Sequence, residues 1–215
     1  MPDRATSVID SIRAAVAIDA EGLKALASSL EGLEPAITEA VSRLLEMDGR
    51  LIVTGLGKSG HIGAKLAATF SSTGTPAYFL HPAEASHGDL GMVQPSDVIL
   101  ALSWSGETRE LSDVLGYAKR RGVPLIALTS NAESTLAKAA DVALVLPRVR
   151  EACPHNLAPT TSTLLQLALG DALAIALLEA RGFTEESFHG FHPGGSLGAA
   201  LKLVSEIMHQ GEALP

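Results

Sequence analysis

Apolar residues follow two rhythms along this chain. Through the first 45 residues they recur at helical intervals: Val8, Ile12, Ala15 and Ile18, then Leu23, Leu26 and Leu30, then Ile37, Val41, Leu44 and Leu45. Gly32 and Pro35 interrupt the series and predict two helices rather than one. After the turn at Asp48-Gly49 the rhythm changes. Short unbroken apolar runs at 51–54, 76–80, 97–102, 122–129 and 141–146 read as strands buried on both faces. Helical patterns separate them, carried by Ile62, Leu66 and Phe70, by Leu111, Val114, Leu115 and Ala118, and by a short segment at 134–139. Thr160 to Thr163 can cap a last helix that reaches Ala180. Its apolar positions run nearly all round, so it belongs in the core or in an interface between subunits. The alternation predicts an α/β fold: a doubly wound, about five-stranded parallel sheet flanked by helices, flavodoxin- or Rossmann-like, behind N-terminal helices. Residues 1–48 form the helical segment, 49–203 the main domain and 204–215 a short polar tail.

Composition narrows the classes of function. The 215 residues suffice for one such domain with a sizeable core. Sixteen Lys and Arg against 24 Asp and Glu give a net charge of −8, and aromatics make up 4%. An acidic surface poor in stacking rings does not suit nucleic acid. A phosphate ligand would have to be held by local donors. The single cysteine, Cys153, excludes an internal disulfide framework and suits the cytoplasm; it reads as a small packing residue. No basic-then-apolar leader and no long uncharged apolar run points to a membrane.

Candidate chemistry gathers where strands end. After the run 51–54 come Gly55, Gly57 and Gly60, with Lys58 and Ser59 between them, and then a helix. A strand, a glycine-rich turn and a helix N-terminus expose N–H groups to an anion. Gly55-x-Gly57-x-x-Gly60 matches the dinucleotide fingerprint, but the next strand ends in His81 rather than in an acid. Gly57-Lys58-Ser59 resembles the end of a P-loop, which needs a glycine where Ile52 stands. A sugar-phosphate site is the third reading. His81, Glu84, His87 and Asp89 crowd the connection after the second strand, with no spacing that demands a metal. Ser103, Ser105 and Thr108 cluster after the third, more hydroxyls than one helix cap needs. Glu151 follows the last strand, and His192 lies beside Pro193 and three glycines in a shaped loop suited to acid–base work.

Taken together, these stretches resemble the sugar isomerase (SIS) domain family, and within it the arabinose 5-phosphate isomerases. The resemblance rests on the segments 55–61, 72–76, His81-Pro82, 84–92, 105–107, 151–154, 157–160, 170–173 and 192–195, and covers about 51–203. The run His87-Gly-Asp-Leu-Gly-Met92 and the run Glu151-Ala-Cys-Pro154 single out this branch. It implies interconversion of D-ribulose 5-phosphate and D-arabinose 5-phosphate, the first step toward Kdo and lipopolysaccharide. It assigns catalysis to Lys58, Glu110, Glu151 and His192, and sugar-phosphate contacts to Gly74, Thr75, His81, His87, Ser103, Ser105 and Thr108, beside Gly57 and Ser59 of the anion turn. It further implies a homotetramer with active sites at subunit boundaries, no required cofactor, and inhibition by zinc with His81 as ligand. Two departures stand out. Trp104 occupies a position where the family often has a small polar residue, and Val204 to Met208 resembles the start of paired CBS modules that do not follow. Through the family's chemistry, Glu151 or Glu110 becomes the carbon base, with its pKa raised in a partly dry pocket. A sugar-phosphate sensor without turnover and another SIS isomerase are the competing readings.

Overall fold

The computed structural model describes residues 7–184. Five strands, β1 (Leu51–Gly55), β2 (Ala77–Leu80), β3 (Val98–Leu102), β4 (Leu125–Thr129) and β5 (Val142–Val145), form one parallel sheet in the order β2-β1-β3-β4-β5. Among the described residues six α-helices accompany them: α1 (Val8–Leu45), α2 (Gly57–Ser72), α3 (Pro82–Ala85), α4 (Ser112–Arg121), α5 (Thr135–Ala139) and α6 (Thr161–Ala180). Single 3₁₀ turns lie at Asp89–Met92 and Arg109–Leu111.

Strand side chains alternate between two cores, as the pleat requires. Leu51, Val53, Leu100, Leu102, Ile126 and Leu128 face α1, α2 and α6. Ile52, Ile99, Ala101, Leu125 and Ala127 face α3, α4 and α5. Both faces are covered, so the strands read as continuous apolar runs. The cost of disturbing such packing is high: truncating the fully buried Phe70 to alanine would cost about 3–5 kcal/mol. Gly170 lets α6 approach α2 closely, because a Cβ there would collide with Leu66. Lys65 and Asp171 bridge the same two helices at 2.6 Å.

One expected boundary is absent. Gly32 and Pro35 do not divide the N-terminal segment, and α1 continues through both. Pro35 leaves the carbonyl of Glu31 without its helical donor, but both residues are exposed, so water can satisfy it. Gly22 and Leu26 on one side and Ala40 and Leu44 on the other are buried, which anchors both halves. α6 is long and apolar enough to cross a membrane by composition, yet half of it is buried in this fold against the sheet and α2.

The chain leaves β1 toward β2 on one side and returns to β3 on the other. In open parallel sheets such a switch point opens a crevice beyond the carboxyl ends of the two strands. The anion turn and the hydroxyl loop both lie there.

Candidate functional site

β1 ends at Gly55, and α2 begins two residues later. Gly57 opens the helix at φ +58°, a conformation that favours glycine. No side chain caps α2, and the first-turn N–H groups of Lys58 and Ser59 have no carbonyl partner among the described residues. The positive end of a 16-residue helix is therefore open to the crevice, with the exposed Lys58 beside it.

Across the crevice the loop after β3 is held from below. The carbonyl of Trp104 accepts from Ser130 N (2.9 Å), Ser130 Oγ (2.8 Å) and Thr129 Oγ1 (3.2 Å). Gly106 turns at φ +71° against Ser134, where any side chain would clash. Glu107 fastens the loop to α5 by accepting from Thr135 N (2.9 Å) and Thr135 Oγ1 (2.7 Å). Those bonds, the hydroxyl's first, hold its carboxyl below the ordinary carboxylate value. The hydroxyls of Ser103, Ser105 and Thr108 do not serve as helix caps. α4 starts only at Ser112, beyond a 3₁₀ turn, with no side-chain cap. The hydroxyls instead shape the loop: Ser103 Oγ and Thr108 Oγ1 lie 2.7 Å apart, Ser103 Oγ accepts from Gly106 N (3.0 Å), and Ser105 Oγ accepts from Glu107 N (3.2 Å). Ser105 thus keeps its proton to donate, as does one of the Ser103–Thr108 pair.

Glu151 closes the third side. Its Oε2 accepts from Thr160 N (2.8 Å), Thr160 Oγ1 (3.1 Å) and Ser162 N (3.1 Å). A residue nine positions earlier in the chain, not the side chains of Thr160 to Thr163, therefore caps α6. Asn156, at φ +54°, accepts from Glu151 N through Oδ1 at 2.8 Å and fixes the loop. Burial pushes the Glu151 carboxyl up, but hydrogen bonds from Ser162 and Thr160 outweigh it and leave the pKa below the ordinary value. This reverses the expectation of a raised pKa: a carboxylate on a helix N-terminus is stabilised in its charged form.

The three sides enclose an open cleft of about 380 Å³. Lys58, Ser59, Ser103, Ser105, Thr108 and Glu151 all line it, with Trp104, Val149 and Leu157 forming an apolar wall. Other expected residues stand elsewhere. Glu110 is exposed in the 3₁₀ turn and does not line the cleft. Gly74 and Thr75 precede β2 and so lie at the opposite edge of the sheet, where Gly74 backs onto Phe183 and Thr75 is fully buried. His81 caps α3 through Nδ1, which accepts from Ala83 N at 3.3 Å, and its ring packs edge-on to Phe79. His87 is exposed in the following turn. No three His, Cys, Asp or Glu side chains form a metal-binding group among the described residues. The α3 cap uses Nδ1 of His81 and leaves Nε2, the one nitrogen that a zinc-bound imidazole needs. His192 lies outside the described residues. Asn156 and Gln166 carried no signal of their own; the fold brings the first to the cleft and the second beneath it.

The geometry separates two functions. An anion suits the open end of α2 and the hydroxyl loop. It does not suit the end of α6, which Glu151 already neutralises. A ligand with a phosphate at one end would thus place its other end beside a carboxylate.

Residues 44–176 match the SIS domain family. The chain is 57% identical over 192 residues to an arabinose 5-phosphate isomerase KdsD of Pseudomonas aeruginosa, covering 89% of this chain and 59% of that protein. It is 55% identical over 179 residues to the protein of the same name from Escherichia coli K12, covering 83% and 55%. The chain thus spans somewhat more than half the length of these curated relatives. A structure from E. coli CFT073 in complex with A5P superposes with a TM-score of 0.84 at 38% identity, covering 89% of this chain and 100% of that one. The Vibrio vulnificus NanR protein complexed with ManNAc-6P shares the fold alone, with a TM-score of 0.68 at 21% identity and coverage of 93% and 69%.

Proposed function

The chain belongs to the SIS domain family, and on that premise we propose that it is an aldose–ketose isomerase interconverting D-ribulose 5-phosphate and D-arabinose 5-phosphate through a cis-enediol. The reaction would open the route to Kdo and lipopolysaccharide. The observation that carries this reading is one cleft that combines a lysine, phosphate-ready donors and a carboxylate, in a chain more than half identical to relatives named for this activity.

The residues divide the work as follows. The phosphate sits at the α2 N-terminus and the hydroxyls of Ser105 and the Ser103–Thr108 pair, so remote binding energy positions the reacting carbons. Glu151 Oε2 stays committed to α6, and Oε1 removes the proton from one carbon and returns it to the other. Its depressed pKa keeps it ionised at neutral pH, in the form a base requires. Lys58 faces the negative charge that develops on O1 and O2, a role worth about 3 kcal/mol. Glu151 is favoured over Glu110 as the carbon base because only Glu151 lines the cleft of its own chain; Glu110 would act on a neighbouring subunit's site. His192 is assigned proton transfer between oxygens or ring opening by resemblance.

Assembly as a homotetramer with sites at subunit boundaries is part of the proposal. α1 supports self-association: Val8, Ile9, Ile12, Val16, Leu23 and Leu30 are 38–79% exposed along the helix. Such a stripe is the usual mark of a partner surface. Turnover is proposed to need no metal and to occur in the cytoplasm, where the unpaired Cys153 stays reduced. Zinc inhibition through His81 would need further ligands from outside the described residues.

The test compares ribulose 5-phosphate with six- and seven-carbon ketose phosphates. Fastest turnover of the pentose supports the reading. Faster turnover of a longer sugar makes the protein a different SIS isomerase. Binding without turnover of any makes it a sensor.

A further inference from the structure

Gln166 is fully buried on α6, four positions beyond Ser162 and so one turn deeper on the same side of the helix. Its Oε1 accepts the hydroxyl of Ser59 at 3.0 Å, and its Nε2 has no partner among the described residues. Leu165 and Leu169, near it on α6, belong to the apolar core. A methionine or leucine would fill this space without an unpaired donor, and a buried unpaired amide costs stability. Packing therefore does not account for a glutamine here. What the amide does accomplish is the one hydrogen bond to Ser59.

That bond has two consequences. It ties the first turn of α2, which carries Lys58, to the helix whose N-terminus holds Glu151. Both working sides of the cleft are thereby referenced to α6. It also commits the Ser59 proton downward, so Ser59 presents lone pairs rather than a donor to the cleft. An acceptor suits a sugar hydroxyl and does not suit a phosphate oxygen.

We infer that Gln166 is a positioning residue, which acts through Ser59 to fix the contact with a hydroxyl of the sugar and leaves the phosphate contact alone. The inference rests on the cleft being the sugar-phosphate site. No residue of the assigned catalytic set has this role.

The experiment measures affinity for ribulose 5-phosphate and for inorganic phosphate by the fluorescence of Trp104, the chain's single tryptophan, which lines the cleft. Wild type, Ser59→Ala, Gln166→Met and the double variant are compared, with Gln166→Leu as a second replacement. Each single variant is expected to bind the sugar phosphate about tenfold more weakly, the effect of one hydrogen bond. The double variant is expected to be no weaker than either single one, because both remove the same contact. Affinity for inorganic phosphate stays within about twofold, and the melting temperature of Gln166→Met does not fall. Losses that multiply in the double variant overturn the inference. So does a parallel loss of inorganic phosphate binding, unchanged sugar-phosphate affinity, or failure of both replacements to fold, since the amide would then serve the core. Turnover is recorded alongside: a wild type that binds but does not turn over faults the isomerase reading, while the affinity pattern still decides the role of Gln166.

Discussion

Replacing Glu151 by glutamine separates its two duties. In the folded chain Oε2 accepts three hydrogen bonds, from Thr160 N, Thr160 Oγ1 and Ser162 N. A charged acceptor contributes about 2 kcal/mol per bond and a neutral one about 1, so the amide forfeits roughly 3 kcal/mol across the three. For a chain of this length that is a fall of about 6–12 °C in melting temperature. The loss carries a pH signature. The folded pKa of Glu151 lies below its ordinary value of 4.5. Its stabilisation is therefore complete above the unfolded pKa and disappears as pH falls through the folded pKa. Calorimetry of wild type and Glu151→Gln from pH 7 down to pH 3 should show a gap that is full at neutrality and closes in acid. Turnover should fall at every pH, because the amide cannot take the carbon proton. A gap that persists unchanged into acid, or no gap at pH 7, would refute the assignment of Glu151 as an ionised helix cap. Near wild-type kcat would refute it as the base.

Three further outcomes follow from the same geometry. Lys58→Met should lower kcat by about 10²-fold with no fall in melting temperature, since Lys58 is exposed and has no ion pair among the described residues; steady-state kinetics with calorimetry would check both parts. Gly106→Ala should cost about 2 kcal/mol or more in urea unfolding, because it combines a left-handed φ with a collision against Ser134, and it should weaken phosphate binding by distorting the hydroxyl loop. Val16→Glu should reduce the assembly size in light scattering at micromolar concentration, since Val16 is 61% exposed in the middle of the apolar stripe of α1.

The strands were legible because burial on both faces turns each into an apolar run. The five runs account for the five strands, and flanking Gly and Pro marked their ends to within a few residues. The break that Gly32 and Pro35 predict does not form, because buried anchors on either side outweigh local propensity. Lys58, Ser105 and Thr108 could be placed in the site because each follows a strand directly, and the carboxyl ends of parallel strands share one edge. Glu151 was visible as a candidate for the same reason, but not its low pKa, which depends on N–H groups nine and eleven residues away. Gln166 was hidden inside an apolar helix, where only the packing of α6 on α2 gives it a partner. Gly74, Thr75 and Glu110 entered through resemblance alone, and the fold of one chain does not bring them to the cleft.

The central claim is that this cleft moves a proton between the first two carbons of a pentose phosphate without help from a metal. Incubation with ribulose 5-phosphate in EDTA, followed by NMR, tests it most directly. The account predicts steady appearance of arabinose 5-phosphate in wild type and its near absence in Glu151→Gln. Appearance only after a divalent ion is restored, or no product while the sugar phosphate still raises the melting temperature, would contradict it.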